Sequence, residues 1–204
     1  MNEAHSAPVE LRRLWPPDKE AFRDHLLNLD PNGRHSRFGG GVSDDFLIRY
    51  AENCFGEGDL VYGAFAGGEL IGAGELRSNR AIWREPAPFG RDIHAEAAFS
   101  VDPHHRRRGV GETLFKRILR AAANHGVETI EIVCLPDNTG MQNLARKFHA
   151  EFAFEQNALT GRLTARPPTA FSRLREASSD ALDFGAALFD AHWRALAGGR
   201  EKGA

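Results

Sequence analysis

The segment from Ala95 to Glu112 reads AEAAFSVDPHHRRRGVGE, and it determines how the rest of the chain is interpreted. Its first part belongs to a predicted strand from Ile93 to Val101, in which side chains alternate between two faces. A basic, glycine-bearing turn follows. From Arg108 to His125 the apolar residues recur at helical spacing. The segment therefore predicts a strand, a tight turn and a long helix in direct succession.

A helix that starts on a glycine-bearing turn offers a site for an anion. Its first backbone N–H groups have no partner within the helix, and its start carries a partial positive charge. The glycines allow a ligand to approach the backbone closely, and the three arginines at 106–108 add positive charge. The turn is not a P-loop, because no Gly-Lys-Ser/Thr follows it, and it lacks the first glycine of a dinucleotide-binding fingerprint. It suits a pyrophosphate.

The flanking sequence predicts an α+β protein with one layered domain over residues 1–166. A strand, two helices and a strand hairpin precede the central segment, and a strand, a short helix and a closing hairpin follow it. Two predicted loops, Arg34 to Gly41 and Ser78 to Asp92, interrupt the upstream half. After Arg166-Pro167-Pro168, residues 167–204 are predicted to form a C-terminal helical extension and tail.

Composition argues against several classes of protein, although a local basic patch stays possible. The 204 residues carry a net charge of −2, which argues against a dedicated nucleic-acid binder or a polybasic membrane binder. The chain has no run of 18 apolar residues, and its polar start lacks the apolar centre of a signal peptide. We therefore expect a cytoplasmic protein with no nucleic-acid and no membrane partner.

The two cysteines, Cys54 and Cys134, are interpreted as buried thiols rather than nucleophiles. Cys134 lies in an apolar run that is typical of a buried strand. The chain has no Cys/His spacing typical of zinc, and His104-His105 lacks further ligands at useful spacing. No metal is expected.

The pattern Arg106-x-x-Gly109-x-Gly111 after a strand resembles the acetyl-CoA motif of the GCN5-related N-acetyltransferases (GNAT). Val101-Asp102-Pro103 before the motif and Asn138-x-x-Met141-x-x-Leu144 after it are similar to that superfamily too. The resemblance covers about Val9 to Leu163. The stretch from Glu96 to Val101, together with Asp30 to Phe38, resembles most closely the catalytic domain of bacterial protein-lysine acetyltransferases.

The resemblance implies a mostly antiparallel mixed sheet flanked by helices, and acetyl-CoA as cosubstrate. It implies that Glu96 is the base that deprotonates the acceptor amine, the alternative being a solvated strand carboxylate. Asn138 would hydrogen-bond the pantetheine amide or merely cap a helix. The cofactor-binding residues that it implies are Phe99, Val101, Arg106, Arg107, Arg108, Gly109, Val110, Gly111, Glu112 and Asn138.

The resemblance implies direct acetyl transfer to a primary amine, either a protein lysine or a small metabolite. Arg34, Arg37 and Arg84 are candidates for pairing with a carboxylate on the acceptor. Many relatives have a tyrosine, as acid for the departing thiolate, where this chain has Ala145. The alternatives are a non-catalytic CoA-binding or sensor module and a nucleic-acid binder that uses the arginine cluster. Homodimer formation is left open.

Overall fold

The computed structural model describes residues 8–56, 58–78, 93–155 and 158–201, which form seven strands and six α-helices. The strands are β1 (Glu10–Leu14), β2 (Asp59–Ala66), β3 (Glu69–Arg77), β4 (Ile93–Val101), β5 (Val127–Cys134), β6 (Glu151–Glu155) and β7 (Ala158–Thr164). The helices are α1 (Lys19–Leu27), α2 (Pro31–Phe38), α3 (Asp44–Asn53), α4 (Val110–Asn124), α5 (Thr139–Lys147) and α6 (Ala170–Glu201).

All seven strands form one sheet in the order β1-β2-β3-β4-β5-β7-β6. The central pair, β4 and β5, is parallel, and every other neighbouring pair is antiparallel. The parallel pair requires a crossover, which α4 supplies. The structure therefore confirms the predicted α+β fold with a mixed, mostly antiparallel sheet and a C-terminal helix.

The sheet separates two apolar clusters. On one face, α4 packs through Leu114, Phe115 and Ile118 against the central strands. On the other face, α1 and α3 bury a smaller cluster that includes Phe22 and Leu47. The glycines of β3 let α4 approach closely, since a Cβ on Gly72 would lie 3.0 Å from a methyl group of Val110.

One predicted turn and one predicted helix cap have the expected structure. Gly67 and Gly68 join β2 to β3 with φ values of 60° and 85°, the left-handed conformation that a two-residue hairpin loop favours. Ser43 precedes α3, and its side chain accepts a hydrogen bond from the backbone N–H of Phe46.

The prediction of a loop from Arg34 to Gly41 is wrong, because most of this segment lies in α2. The side chain of Asp30 accepts a hydrogen bond from the backbone N–H of Gly33, Pro31 occupies the first turn, and Gly39 ends the helix in a left-handed conformation. The Asp-Pro-Asn-Gly sequence, interpreted as the end of one helix, therefore also starts the next. The second predicted loop, Ser78 to Asp92, lies almost entirely outside the described residues.

Helix α6 runs along the sheet edge at β1 and also touches α4. Its acidic side chains bind arginines of the domain. Arg117 donates to Glu176 at 2.8 Å, Arg13 to Asp180 at 2.5 Å, and Arg12 to Asp190 at 2.8 Å. These ion pairs attach the C-terminal helix to the domain surface.

Candidate active site

A gap opens in the middle of the sheet where β4 and β5 diverge. Their parallel pairing runs only from Ile93 to Glu96 on β4. Beyond that point β4 remains paired with β3 as far as Val101, and β5 remains paired with β7 as far as Cys134. Among the strands that the structure describes, none pairs with the other backbone edge of β4 over Ala97–Val101. This edge can hydrogen-bond an extended ligand in place of the missing strand.

A cavity of about 590 Å³ occupies this part of the molecule. It lies between the end of β4, helix α2 and the first turns of α4 and α5. Eight residues implied by the sequence line it: Phe99, Val101, Arg106, Arg107, Gly109, Gly111, Glu112 and Asn138. Helix α2 contributes Asn32, Gly33, Ser36 and Arg37, and Leu29 lies two residues before the helix. Its volume lies within the ~300–1,000 Å³ range usual for ligand pockets.

The turn between β4 and α4 is held by its own hydrogen bonds. Asp102 accepts from the backbone N–H of His104 at 2.8 Å, and His105 lies 3.2 Å from the same oxygen. Arg107 and Gly109 both have positive φ values, of 63° and 83°. Alternation between left- and right-handed residues brings successive backbone N–H groups together into an anion-binding concavity. The turn thus places the N–H groups at the start of α4, which have no partner within the helix, beside the cavity.

Arg106 lines the cavity, but its guanidinium is held by the protein. It contacts the Asp30 carboxylate at 2.6 Å and 3.2 Å, and its Nε donates to the carbonyl oxygen of Val101. The hydrogen bond from Arg106 lowers the pKa of Asp30 below its ordinary value. The Arg106 side chain therefore joins α2 to the turn. The backbone of Arg106 is the part that can bind a ligand.

Charge at the mouth of the cavity is mixed. The Glu112 carboxylate accepts from Lys116 at 2.8 Å and from Lys147 at 3.1 Å, and these hydrogen bonds lower its pKa. The two lysines offset the negative charge that Glu112 would otherwise present to an anion. Lys147 itself lines the cavity.

Three predicted site residues lie outside the lining of the cavity. Arg108 is exposed, and Val110 is buried against the core, so Val110 can reach a ligand only through its backbone. Glu96 is exposed on β4, in register with Arg77 of β3 and Glu131 of β5. It stands at the closed end of the gap, three residues or about 10 Å along the strand from Phe99.

Asn138 caps a helix, which is one of the two roles that the sequence offered for it, and its hydrogen bond to a pantetheine amide stays a prediction. Its side-chain oxygen accepts from the backbone N–H of Met141 at 3.0 Å, so it caps α5. It also lines the cavity. In the next turn Leu144 lines the cavity, whereas Ala145 is fully buried in the core.

The proposed contacts of Arg34 and Arg37 with an acceptor carboxylate do not fit the structure. Arg34 donates to the carbonyl oxygens of Leu27 and Leu29 and to Asp44. Arg37 is committed to Glu75, as described below. Both guanidinium groups therefore already have acceptors within the protein. Arg84, the third candidate, lies outside the described residues.

A buried ionic cluster, which the sequence does not reveal, lies beneath the cavity. Glu75 is 1% exposed and accepts hydrogen bonds from Arg37 at 2.6 Å, Tyr50 at 2.7 Å and Arg77 at 3.1 Å. Burial alone would raise the pKa of Glu75, but the two arginines hold it below its ordinary value. The only sign of this cluster in the sequence is that Glu75 stands among apolar residues of a strand. Burial also raises the pKa of neighbouring Cys54 to about 12.

A second polar pair that the sequence did not reveal joins α1 to the cavity. Nε2 of His25 lies 2.9 Å from the Ser100 hydroxyl, and Nδ1 lies 3.2 Å from the carbonyl oxygen of Leu70. Because a carbonyl can only accept, Nδ1 carries the proton, and Nε2 accepts from Ser100. Burial lowers the pKa of His25 to about 4, so the imidazole is neutral at pH 7. Ser100 thus directs its oxygen lone pairs away from His25.

Both cysteines are free and buried, as expected. Burial raises the pKa of Cys134 as well as that of Cys54. The described residues contain no cluster of three or more His, Cys, Asp or Glu side chains placed to hold a metal ion. Among the described helices, none combines the length and apolar character needed to cross a membrane.

The acetyltransferase (GNAT) family model matches residues 24–150, which span the gap, the turn and both flanking helices. The chain belongs to this family. The match covers every residue named above as lining the cavity.

Solved structures share the fold at low sequence identity. The GNAT domain of S. lividans PAT is 21% identical, with a TM-score of 0.63 over 76% of this chain and 90% of that one. The yncA protein of Salmonella typhimurium, solved with its cofactor acetyl-CoA, is 16% identical, with a TM-score of 0.59 over 80% and 98%. A cAMP-binding acyltransferase from Mycobacterium smegmatis is 18% identical, with a TM-score of 0.53. The match spans 90% of this chain but only 52% of that protein.

Proposed function

We propose that this protein is an acetyl-CoA-dependent N-acetyltransferase that transfers the acetyl group directly to a primary amine, either a protein lysine or a small metabolite. The observation that carries the proposal is the cavity between the free edge of β4 and the N-terminus of α4. The cavity brings together an unpaired strand edge and an anion site. An extended pantetheine that ends in a pyrophosphate needs both features. Membership of the GNAT family supports the same cosubstrate.

The residues present fit such a molecule. The backbone N–H groups from Arg107 to Glu112 would hold the pyrophosphate, with Lys147 nearby to add positive charge. Phe99 and Val101 would pair with the pantetheine through their backbone, and their side chains lie on the face of β4 that packs against α4. Asn138 would use its amide N–H₂, since its oxygen is already occupied as a helix cap.

The chemistry of the reaction sets the requirement for a base. A free lysine amine has a pKa of about 10.4, so nearly all of it is protonated at pH 7. Once neutral, the amine nitrogen attacks the thioester carbonyl carbon, a C–N bond forms, the C–S bond breaks, and the thiolate leaves with the electron pair. The nitrogen loses two protons: Glu96 would take the one that leaves the ammonium before the attack, and the second would pass to solvent water once the C–N bond has formed. A thiolate with an ordinary pKa near 8.5 leaves without an acid, which suits a site that has Ala145 where relatives place tyrosine.

A second candidate function is a CoA-binding module without catalysis. The position of Glu96 favours it, because this carboxylate is exposed and does not line the cavity. A base acting through water tolerates such a separation, whereas direct proton transfer does not. Release of free thiol from acetyl-CoA in the presence of amines distinguishes the two functions. Release with any amine supports catalysis, and binding without release across lysine peptides and small amines supports the module.

The test of the base compares Glu96→Gln with Glu131→Gln, a control on the neighbouring strand in register with Glu96. Loss of a positioned base should lower the rate about 10²–10⁴-fold at pH 7 while acetyl-CoA affinity is retained. Activity should recover partly at high pH, where the amine is already neutral. The control should stay close to the unmodified protein. A Glu96→Gln rate within about threefold of that protein would exclude Glu96 as the base.

A further inference from the structure

Helix α6 has an inverted amphipathic character. Its acidic residues face the domain and bind arginines, as described above, and Ala187 between them is fully buried. Six large apolar side chains on the opposite face are 56–76% exposed: Phe171, Leu174, Leu182, Phe189, Trp193 and Leu196. An amphipathic helix normally buries its apolar stripe. In the described residues nothing covers this one.

The spacing of the stripe is regular and symmetric. With two small residues included, its members are Phe171, Leu174, Ser178, Leu182, Gly185, Phe189, Trp193 and Leu196. The intervals are 3, 4, 4, 3, 4, 4 and 3, which are the same in both directions. Their mean lies close to the 3.6 residues of a helical turn, so the stripe runs almost straight for about 38 Å.

We infer that this stripe, which we name the α6 face, is the interface of a homodimer in which two α6 helices pack antiparallel. A two-fold axis between positions 183 and 184 brings residues of opposite size together. Leu182 then lies opposite Gly185, and Phe189 lies opposite Ser178. Towards the ends, Phe171 meets Leu196 and Leu174 meets Trp193. Large side chains thus enter the spaces over small ones, as interdigitating helices require.

The symmetry is what selects a second copy of this chain. A two-fold interface must be complementary to itself, so that residue i meets j while j meets i. The α6 face satisfies this condition in the antiparallel arrangement. A parallel pair would place Gly185 against Gly185 and Phe189 against Phe189, leaving a gap at one level and crowding at the next.

The size of the α6 face is sufficient for a stable dimer. A fully buried aromatic side chain covers about 150–250 Å² and a leucine somewhat less, so three aromatic residues and three leucines that are 56–76% exposed present about 700 Å². That value exceeds the ~300–600 Å² patch of a typical monomer and approaches the ~800 Å² per partner of a standard interface.

The charges of α6 favour a protein partner over a membrane. A helix that lies in a lipid surface carries a basic, solvated polar face opposite its apolar one. Here the opposite face is acidic, with Asp180 and Asp190 bound to arginines of the domain. Its polar groups are therefore already used to attach the helix to the domain.

Sedimentation equilibrium of the full chain tests the interface. The unmodified protein should have twice the 22.5 kDa mass of one chain at micromolar concentration. Leu182→Glu places two charges beside the two-fold axis and should weaken association at least tenfold. Because Leu182 is 76% exposed, the variant should fold, as circular dichroism would show. Ala177→Glu, at an exposed position beside the stripe, is the matched control and should remain dimeric. A monomeric unmodified protein at 100 µM overturns the proposal, and so does a dimer unaffected by Leu182→Glu.

Disulfide trapping tests the register. Both natural cysteines are buried, so an introduced thiol reports its own surroundings. A mixture of Ser178→Cys and Phe189→Cys proteins should form a cross-linked heterodimer under oxidation. Ser178→Cys alone should not form a cross-linked dimer, because the two positions 178 of the dimer lie about 16 Å apart along the helices. Ala177→Cys mixed with Phe189→Cys is the control and should cross-link poorly. Self-linkage of Ser178→Cys without a mixed product would overturn the antiparallel arrangement. A monomer that floats with phosphatidylserine vesicles would show that the face binds membranes instead.

Discussion

Replacing Glu75 with glutamine should destabilise the protein strongly. The substitution keeps the shape of the side chain but removes the charge that compensates two arginines. Glu75 is 1% exposed, and the side chain of Arg37 is 9% exposed. Removing one partner of a buried ion pair typically costs about 3–5 kcal/mol. We expect the lower end, about 3 kcal/mol, since glutamine can still accept one hydrogen bond and Arg77 is partly solvated.

Urea denaturation measures this effect. With a denaturant dependence of about 2 kcal/mol per molar, the midpoint should fall by about 1.5 M. Glu69→Gln, an exposed position on the same strand, is the matched control and should change stability by no more than about 0.5 kcal/mol. The variant Glu75→Gln/Arg37→Met should lose less than the two single changes added together, because each removes the partner of the other. Equal midpoints for Glu75→Gln and Glu69→Gln would refute the role assigned to the cluster.

The cluster also makes a prediction about pH. The arginines hold the pKa of Glu75 below its ordinary value of 4.5. A carboxylate with a lowered pKa in the folded state contributes its full stability above the ordinary pKa. It loses that contribution as the pH falls through the folded value. The difference in stability between the unmodified protein and Glu75→Gln should therefore be constant from pH 7 to about pH 5 and should shrink below pH 4.5.

Two further predictions concern the route and the walls of the site. Cys134→Ala should keep turnover within a few-fold of that of the unmodified protein, because direct transfer forms no acetyl-cysteine on the buried thiol. Mass spectrometry during turnover would contradict this if it detected an acetyl-cysteine that forms and decays at the catalytic rate. Asp30→Asn should lower the free energy of unfolding by about 1 kcal/mol, since the Asp30–Arg106 pair is about one-third exposed. It should also weaken acetyl-CoA binding, measured by calorimetry, because α2 forms one wall of the cavity. Unchanged affinity in Asp30→Asn would show that this wall does not contact the ligand.

The sequence predicts the parts of the fold that local signals determine. The turn from Val101 to Gly111, the Gly67-Gly68 hairpin and the Ser43 cap each depend on residues a few positions apart. The short helix α2 is wrongly predicted as a loop because its start signal, Asp30-Pro31, also ends the preceding helix. Its eight residues are too few to show a clear apolar period.

Long-range pairing explains most of what the sequence does not reveal. Glu75 meets Arg37 and Tyr50, which lie 38 and 25 positions away, and His25 meets Ser100 across 75. Such partners leave no periodic signal. In α6 the periodicity is present but its usual meaning is reversed. Its acidic side bonds to arginines far away in the sequence, and its apolar side faces outwards.

Calorimetric titration of acetyl-CoA into the protein and into Gly111→Glu tests the central claim, that the start of α4 holds the phosphates. A Cβ at Gly111 would meet nothing closer than 3.5 Å, so the variant should fold, and its carboxylate should repel the ligand. Gly41→Glu, in open space outside the cavity, is the control. We predict saturable one-to-one binding to the unmodified protein and the control, and affinity at least tenfold weaker, about 1.4 kcal/mol, in Gly111→Glu. No saturable binding to the unmodified protein at millimolar acetyl-CoA, or equal affinity in a folded Gly111→Glu protein, would contradict this assignment of the site.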